Sequence, residues 1–341
     1  MNDAETLFLQ GYEYYREAAN ADDLRKAFEL LGAASSMGHA LAQDILGNMY
    51  EDGDGAPLDI NTAVGLYRRS AEQDCPQGMY DLALLHLDGH GVETDEARAF
   101  KLIEKAVEIG GDPEHMFMLS VLYLHGRGVE QDSEKALSLL RAASREGSVD
   151  AKANLGAMHL AGDQVPRDLP LAFRLLSEAA SEEDCSAMCN LGLMYETGAH
   201  VGKDIQAALL QYRRAADLGY PPAYYHLGVL AGSGEVDMGE VDRVGLLETA
   251  GAMGEIEALH RLAQMYYFGD GVEADADMAS QFFRAGVEFD NPECMYDLAV
   301  MIIRGEASPE YDGEEYDLLL AAADAGYGPA VELVDKSSEE S

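Results

Sequence analysis

The chain has 341 residues, of which 63 are Asp or Glu and 23 are Lys or Arg, so its formal net charge at pH 7 is −40. A nucleic-acid-binding surface needs clustered cations that meet the phosphates, and this charge balance excludes such a surface from the expected functions. Hydrophobic residues make up 48% of the sequence, which is enough for a large core.

The N-terminal residues and the cysteines predict a reduced, cytoplasmic protein. Asp3 and Glu5 stand where a signal peptide would carry Lys or Arg before an apolar run. No stretch approaches the roughly 18 apolar residues of a membrane span. Four cysteines in 341 residues do not make a disulfide framework. We therefore expect a soluble protein without membrane insertion.

Two recurring markers divide the chain into repeats. The first is a Leu followed by a small residue, at successive intervals of 36, 37, 36, 36, 36, 35 and 36 residues. The second is a Gly, Asp or Glu with the same spacing. Because both markers keep one register, we predict eight repeats over residues 39–326 after a degenerate unit at 4–38. The first marker is Leu46, Leu82, Leu119, Leu155, Leu191, Leu227, Leu262 and Leu298; the second is Gly38, Asp74, Gly110, Gly147, Glu183, Gly219, Gly254, Asp290 and Gly326.

Each repeat is predicted to form two helices. The first helix ends at a Gly-rich turn, because Gly tolerates the positive φ that a helix stop requires. The second helix opens with an Asp that caps exposed N–H groups. The units near Gly239 and Tyr311 lack this Asp. The Gly-x-Gly turns begin at Gly53, Gly89, Gly126, Gly232 and Gly269, and the predicted caps are Asp59, Asp95, Asp132, Asp168, Asp204 and Asp275.

Stacked helical pairs of this kind predict an all-α fold, a right-handed α-solenoid in which each unit buries its apolar face against its neighbours. We predict one domain over residues 1–336 that ends in a closing helix at 329–336. Residues 337–341 are predicted to form a disordered acidic tail.

The pattern LGLMYETGAHVGKDIQAALLQYRRAADLGYPPA at residues 191–223 resembles the Sel-one-like repeat, a subclass of the tetratricopeptide superfamily. The resemblance covers nearly the whole chain. It implies a helical solenoid used as an adaptor that holds other proteins together, and it implies no chemistry. Secreted members of this class staple each unit with a Cys pair. The four cysteines here follow no such pattern: Cys75, Cys185, Cys189 and Cys294.

The motifs of catalysis and metal binding are missing from the sequence. It contains no phosphate-binding loop, no His-Glu-x-x-His and no Gly-x-Ser-x-Gly. Cys185 and Cys189 lie one helical turn apart, which is not the usual metal-ligand spacing. His86 and His159 occupy the place of Tyr in other units, which indicates packing residues. We predict no catalytic residue, no metal site and no cofactor.

The resemblance also implies that the first helix of each repeat lines a concave face. Residues two before, two after and five after the anchor Leu would then point inward, as three rows. The first row is Asp44, Tyr80, Phe117, Ala153, Cys189, Tyr225, His260 and Tyr296; the second row is Asn48, Leu84, Val121, Ala157, Leu193, Val229, Gln264 and Val300; the third row is Glu51, Leu87, Leu124, Leu160, Glu196, Gly232, Tyr267 and Ile303.

The role of the aromatic and aliphatic side chains in these rows can be interpreted in two ways. They form a groove that binds a partner, or they fill the space between adjacent first helices. The residues predicted to bind a partner are Tyr80, Phe117, Tyr225, His260, Tyr267 and Tyr296.

The sequence thus predicts a non-enzymatic scaffold that binds a peptide or helix of a partner protein. The excess of carboxylates favours a basic partner, although it would also serve solubility alone. Two other functions stay open: an immunity-type protein that neutralises a toxin or effector, and a hydrolase related to secreted repeat proteins.

Overall fold

A computed structural model of the chain describes residues 3–236 and 241–339, with side chains up to residue 335. It divides into two compact units, unit 1 at residues 1–168 and unit 2 at residues 169–341. All regular elements in the described residues are α-helices, so the predicted all-α repeat architecture is confirmed. The prediction of one continuous domain over 1–336 stays a prediction.

The helices of unit 1 are α1 (Ala4–Arg16), α2 (Ala21–Ser36), α3 (Ala40–Asp52), α4 (Ile60–Ala71), α5 (Pro76–Asp88), α6 (Glu96–Gly110), α7 (Pro113–His125), α8 (Ser133–Glu146) and α9 (Val149–Ala161). The helices of unit 2 are α10 (Leu169–Ser181), α11 (Cys185–Thr197), α12 (Ile205–Asp217), α13 (Pro221–Ser233), α14 (Arg243–Ala252), α15 (Ile256–Phe268), α16 (Ala276–Val287), α17 (Pro292–Ile303), α18 (Glu314–Asp324) and α19 (Gly328–Glu339). Odd-numbered helices from α3 to α17 are the predicted first helices of the repeats.

The aspartates that open the second helices act as caps. Their side chains accept a hydrogen bond from a backbone N–H of the first turn, which satisfies a donor that has no partner inside the helix. For example, Asp95 accepts from the N–H of Arg98 at 2.9 Å. Four other predicted caps behave alike: Asp59, Asp132, Asp204 and Asp275.

The second sequence marker is a residue in the left-handed conformation at the end of the second helix. This conformation suits Gly, yet three non-Gly residues adopt it, with φ of 58° at Asp74, 67° at Glu183 and 56° at Asp290. In the α6 hairpin the left-handed residue is Gly111 (φ 63°), one position beyond the predicted Gly110. The marker therefore reports where each second helix stops.

Of the two units predicted to lack the capping Asp, one needs correction. Gly239 lies outside the described residues, but the unit has kept its capping Asp: Asp242 accepts from the N–H of Gly245 at 2.9 Å. Asp242 stands 38 residues after Asp204 in the sequence, two residues outside the 36-residue register. Near Tyr311, α18 begins after Gly313 without a side-chain cap, as predicted.

The closing helix α19 is longer than predicted. It begins at Gly328 and continues to Glu339, beyond the predicted range of 329–336. Residues 337–339, which were predicted to belong to a disordered tail, continue α19, and residues 340 and 341 lie outside the described part of the chain.

A small residue follows the anchor Leu in every repeat, and in two hairpins the structure shows a close contact that requires it. At Gly192 an added methyl group would lie 2.5 Å from Cε1 of Tyr212, so the ring of the second helix rests directly on the first helix. Gly47 and Tyr67 repeat this geometry at the same 2.5 Å distance. Both tyrosines are fully buried, and the Tyr212 hydroxyl donates to Glu196 at 2.7 Å. Close contact between the two helices therefore requires the missing side chain.

We expect Gly192→Ala to lower the free energy of unfolding by about 1–3 kcal/mol, because the new methyl group displaces the buried Tyr212 ring. The matched control is Gly65→Ala in the interior of α4, where an added Cβ meets no atom within 4 Å. The control should gain about 0.5–1 kcal/mol from its better helix propensity. Denaturant unfolding measures both variants, and equal effects of the two substitutions would contradict the close contact.

Candidate partner-binding surface

In unit 1 the first predicted row packs between neighbouring first helices. The half-buried Tyr80 ring on α5 stacks on His115 of α7, with ring centroids 4.4 Å apart. Burial is the main cause that raises the pKa of Tyr80, to about 12. Phe117 is also half-buried, on α7. The stacking of Tyr80 agrees with the packing interpretation of its row.

The same row contains a buried pair of carboxyl groups. Asp44 on α3 is only 1% exposed, and its Oδ1 atom has no hydrogen-bond partner. Its carboxyl group contacts that of Asp81 on α5, which also accepts from Gln77. Burial raises the pKa of Asp44 and of Asp81, and the proximity of Asp81 raises the pKa of Asp44 further. The pair therefore holds a proton at a pH at which ordinary aspartates are ionised.

We expect this pair to make unit 1 less stable as the pH rises. Because the folded pKa of Asp44 lies above its unfolded value, its contribution is fully present below about pH 4 and is lost as the pH rises through the folded pKa. Asp44→Asn should raise the free energy of unfolding at pH 8 by about 1–3 kcal/mol and flatten its pH dependence between pH 5 and 8.

Denaturant unfolding at both pH values measures this effect, with Asp88→Asn at the exposed end of α5 as the control. Two histidines give the wild type the opposite pH dependence. Burial lowers the pKa of His115 and of His226, so their contribution to stability is lost as the pH falls below about 6.5. Because both variants keep these histidines, the pH dependence of Asp44→Asn is compared with that of Asp88→Asn. An Asp44→Asn protein with the pH profile of the Asp88→Asn protein would contradict the shared proton.

In unit 2 the three predicted rows line three adjoining cavities, which we call the unit-2 groove. The cavities have volumes of about 230, 350 and 490 Å³. Gln264 lines the first two, and Tyr296, Val300 and Arg304 line the second and third. All six row positions of α15 and α17 take part: His260, Gln264, Tyr267, Tyr296, Val300 and Ile303.

One end of the unit-2 groove is apolar. Ile303, Tyr316 and Leu333 line its 490 Å³ cavity, to which α17, α18 and α19 contribute. Ile303 is 56% exposed and Tyr316 is 54% exposed. Large apolar groups that remain in contact with water at a concave site gain free energy when a ligand covers them.

The middle of the groove has fixed polar groups. The Tyr267 hydroxyl donates to Glu306 at 2.7 Å and accepts from Nη1 of Arg304 at 3.0 Å. The hydrogen bond to Glu306 is the largest cause that raises the pKa of Tyr267. The Tyr267 ring is also in edge contact with Phe268, which is 73% exposed. Since its hydroxyl is fixed on both sides, Tyr267 presents a defined face to the cavity.

The other end of the groove is acidic. His260 lies between two carboxylates of α17, with Nδ1 3.2 Å from Glu293 and Nε2 2.9 Å from Asp297. Glu257 and Tyr225 line the same cavity. Arg261 also lines it, but its guanidinium pairs with Asp270 at 2.9 Å. Carboxylates therefore dominate the charge of this end.

Four of the six predicted binding residues thus meet in one groove: Tyr225, His260, Tyr267 and Tyr296. Tyr80 and Phe117 lie in unit 1. The prediction missed Arg304, Tyr316 and Leu333 as lining residues. Arg304 follows directly after the row residue Ile303, so a wider reading of each row would have found it. Tyr316 and Leu333 lie beyond the last anchor Leu, where the repeat pattern gives no signal.

Two of the cysteines, Cys189 and Cys294, and the histidines His86 and His159 occupy packing positions. Cys294 is buried against Gly286, where an added Cβ would lie 2.3 Å from its Sγ. Burial raises the pKa of the Cys189 thiol to about 12. His86 and His159 are buried, and Nδ1 of each contacts a backbone carbonyl of the following turn, at 3.1 and 3.0 Å. Among the residues that the structure describes, no three His, Cys, Asp or Glu residues converge as metal ligands.

Comparison with known proteins identifies the family. The sequence model of the Sel1 repeat matches most of the chain, so the chain belongs to the Sel1-repeat family, which is part of the tetratricopeptide-like superfamily. The proteins of this family are generally protein-interaction scaffolds. The matched residues are 8–23, 22–39, 40–75, 76–111, 113–148, 149–184, 185–220 and 256–286.

Similar solved structures support the fold. A protective antigen of uropathogenic Escherichia coli with an SLR fold is 24% identical, with a TM-score of 0.62 over 96% of this chain and 70% of that one. A Sel1 repeat protein from Oxalobacter formigenes is 24% identical, with a TM-score of 0.62 over 72% of this chain and 96% of that one.

A curated relative is chitin synthase regulatory factor 3 of Schizosaccharomyces pombe. It is 34% identical over 86 residues, which are 25% of this chain and 9% of that protein. The match therefore spans less than a tenth of the relative. Within the described residues, no helix has both the length and the apolar character that a membrane crossing requires.

Proposed function

We propose that the chain is a non-enzymatic scaffold that binds a peptide segment or helix of a partner protein in the unit-2 groove. The observation that carries this proposal is the coincidence of the three sequence rows with three adjoining cavities on α15 and α17. A row that served only to pack helices would not line a series of cavities. The groove also joins an exposed apolar end to fixed polar groups, which is the combination found in specific binding sites.

The charge of unit 2 favours a basic partner. Residues 169–341 contain 33 Asp and Glu against 9 Lys and Arg. An acidic field of this size accelerates the association of cationic partners and disfavours acidic ones. The apolar cavity beside α18 and α19 then supplies affinity through burial of aliphatic or aromatic side chains.

Ile303→Asp tests the groove. Peptides would first be selected on the full chain from a displayed library of random sequences, and their affinities measured by fluorescence anisotropy. Ile303 is exposed, so the substitution should leave folding intact while it places a charge in the apolar cavity. We expect it to weaken peptide binding at least about tenfold, the typical effect of losing a central apolar contact.

Leu210→Asp is the matched control, since Leu210 on α12 is also 56% exposed but does not line the groove. It adds the same charge and should leave the affinity within about twofold. Selection of no peptide, or equal effects of the two substitutions, would contradict the proposed function.

A further inference from the structure

Aromatic rings form much of the wall of the unit-2 groove. Phe268, at the end of α15, is 73% exposed, and Tyr316 on α18 is 54% exposed. The rings of Tyr267 and Phe268 meet at 79° with their centroids 4.8 Å apart, so they form a corner rather than a flat surface. Aromatic-lined grooves of this kind bind extended proline-rich segments in other folds. The aromatic residues that line the three cavities are Tyr225, Tyr267, Phe268, Phe283, Tyr296 and Tyr316.

The middle of the groove offers hydrogen-bond donors. A guanidinium carries five N–H donors, and the structure describes one hydrogen bond of Arg304, to the Tyr267 hydroxyl. The amide nitrogen of Gln264 lies 3.4 Å from Nε2 of His260, which is long for a hydrogen bond. Both side chains can therefore donate to a ligand.

Donors in a groove suit a ligand with unpaired backbone carbonyls. The carbonyls in the interior of an α-helix are already bonded to N–H groups of the same helix. A polyproline II segment has no internal hydrogen bonds, so all its carbonyls remain available. Proline has no N–H group, and a proline-rich segment therefore brings few donors that would need acceptors in the groove.

The spacing of the repeats agrees with the same conformation. Gln264 and Val300 occupy equivalent positions on α15 and α17, and Tyr267 and Ile303 form the next such pair. Neighbouring helices lie about 8–10 Å apart. A polyproline II segment advances about 9 Å every three residues, which is one turn. A segment that crosses α15 and α17 therefore presents the same face to both helices.

The charges that line the groove favour Lys or Arg in the ligand. Four carboxylates outnumber two guanidinium groups, and Arg261 is already paired with Asp270. Arg304 lies beside the apolar cavity, so the cavity that includes Tyr225 is the better place for a cation. The carboxylates are Glu257, Glu293, Asp297 and Glu315.

We propose that the unit-2 groove binds a basic, proline-rich segment of the partner in the polyproline II conformation. The prolines pack on the aromatic rings, and backbone carbonyls accept hydrogen bonds from Arg304 and Gln264. A Lys or Arg of the segment lies near Tyr225, and an apolar side chain enters the cavity beside α18 and α19. The inference rests on the proposed function, because it specifies the ligand of the same groove. Since the segment is extended before it binds, little conformational entropy is lost.

The probe is a fluorescein-labelled peptide of sequence RRPLPPLPPL, amidated at its C-terminus. The matched peptide RRALAALAAL keeps the charge and the leucines, but replaces every Pro by Ala, which favours a helix. Fluorescence anisotropy with the full chain measures both affinities. We expect the proline peptide to bind at least about tenfold more tightly.

Phe268→Ser tests the aromatic wall, and its matched control is Phe289→Ser. Both rings are exposed, so both variants should fold, but Phe289 does not line the groove. We expect Phe268→Ser to weaken binding of the proline peptide about tenfold, whereas Phe289→Ser should leave it within about twofold.

Arg304→Met tests the donors. The substitution removes a positive charge, which by itself would tighten the binding of a basic peptide, but it also removes the N–H groups that meet the carbonyls. We expect binding about fivefold weaker than in the wild type. Arg213→Met, at an exposed position on α12, removes the same charge outside the groove and should not weaken binding.

Three results would overturn the inference: equal or tighter binding of the alanine peptide, equal effects of the two Phe substitutions, or no loss of affinity in Arg304→Met. Each would leave the proposed function standing if library peptides still depend on Ile303. If no library peptide depends on Ile303, while the proline peptide still depends on Phe268, the proposed apolar contact fails and the polyproline II site remains.

Discussion

Close packing between the two helices of each hairpin is the constraint on which the structure depends, and a small residue after the anchor Leu permits it. Where Gly192 meets Tyr212, and Gly47 meets Tyr67, the second helix of a hairpin approaches the backbone of the first so closely that a single methyl group would not fit. In these hairpins the contact fixes which face of the first helix is turned towards the second helix. The opposite rows are thereby left for the neighbouring first helix or for a ligand.

The same rows play different parts in the two units. In unit 1 they are used for packing, as Tyr80 stacks on His115 and the buried carboxyl group of Asp44 contacts that of Asp81. In unit 2 the equivalent positions of α15 and α17 line adjoining cavities. One residue can do both, since the ring of Tyr296 lines the groove and also lies 5.4 Å from the ring of Tyr327.

Much of the fold could be predicted from the sequence because the same features recur in each repeat. The 36-residue interval, the capping Asp and the small residue after Leu are each local requirements of a helical hairpin, so eight copies predict the architecture. The exceptions have physical causes. The cap at Asp242 was missed because it stands two residues outside the 36-residue register, and the helical run after Gly328 extended α19 past its predicted end.

The site was predicted less completely. The rows of α15 and α17 indicated His260, Tyr267 and Tyr296, but not that Glu293 and Asp297 would face both nitrogens of one imidazole. These carboxylates lie near the start and the middle of α17, and their approach to His260 depends on how two repeats stack. A single sequence carries no signal for that distance. The apolar end was missed for a similar reason, since Tyr316 and Leu333 follow the last anchor Leu.

Hydrogen–deuterium exchange of the full chain, with and without a library-selected peptide, tests the docking groove most directly. Our account predicts slower exchange on binding in α15, α17, α18 and α19, with little change in α3–α9 or in the second helices α12 and α16. Protection confined to unit 1, or centred on α12 and α16, would place the binding surface elsewhere and contradict the account.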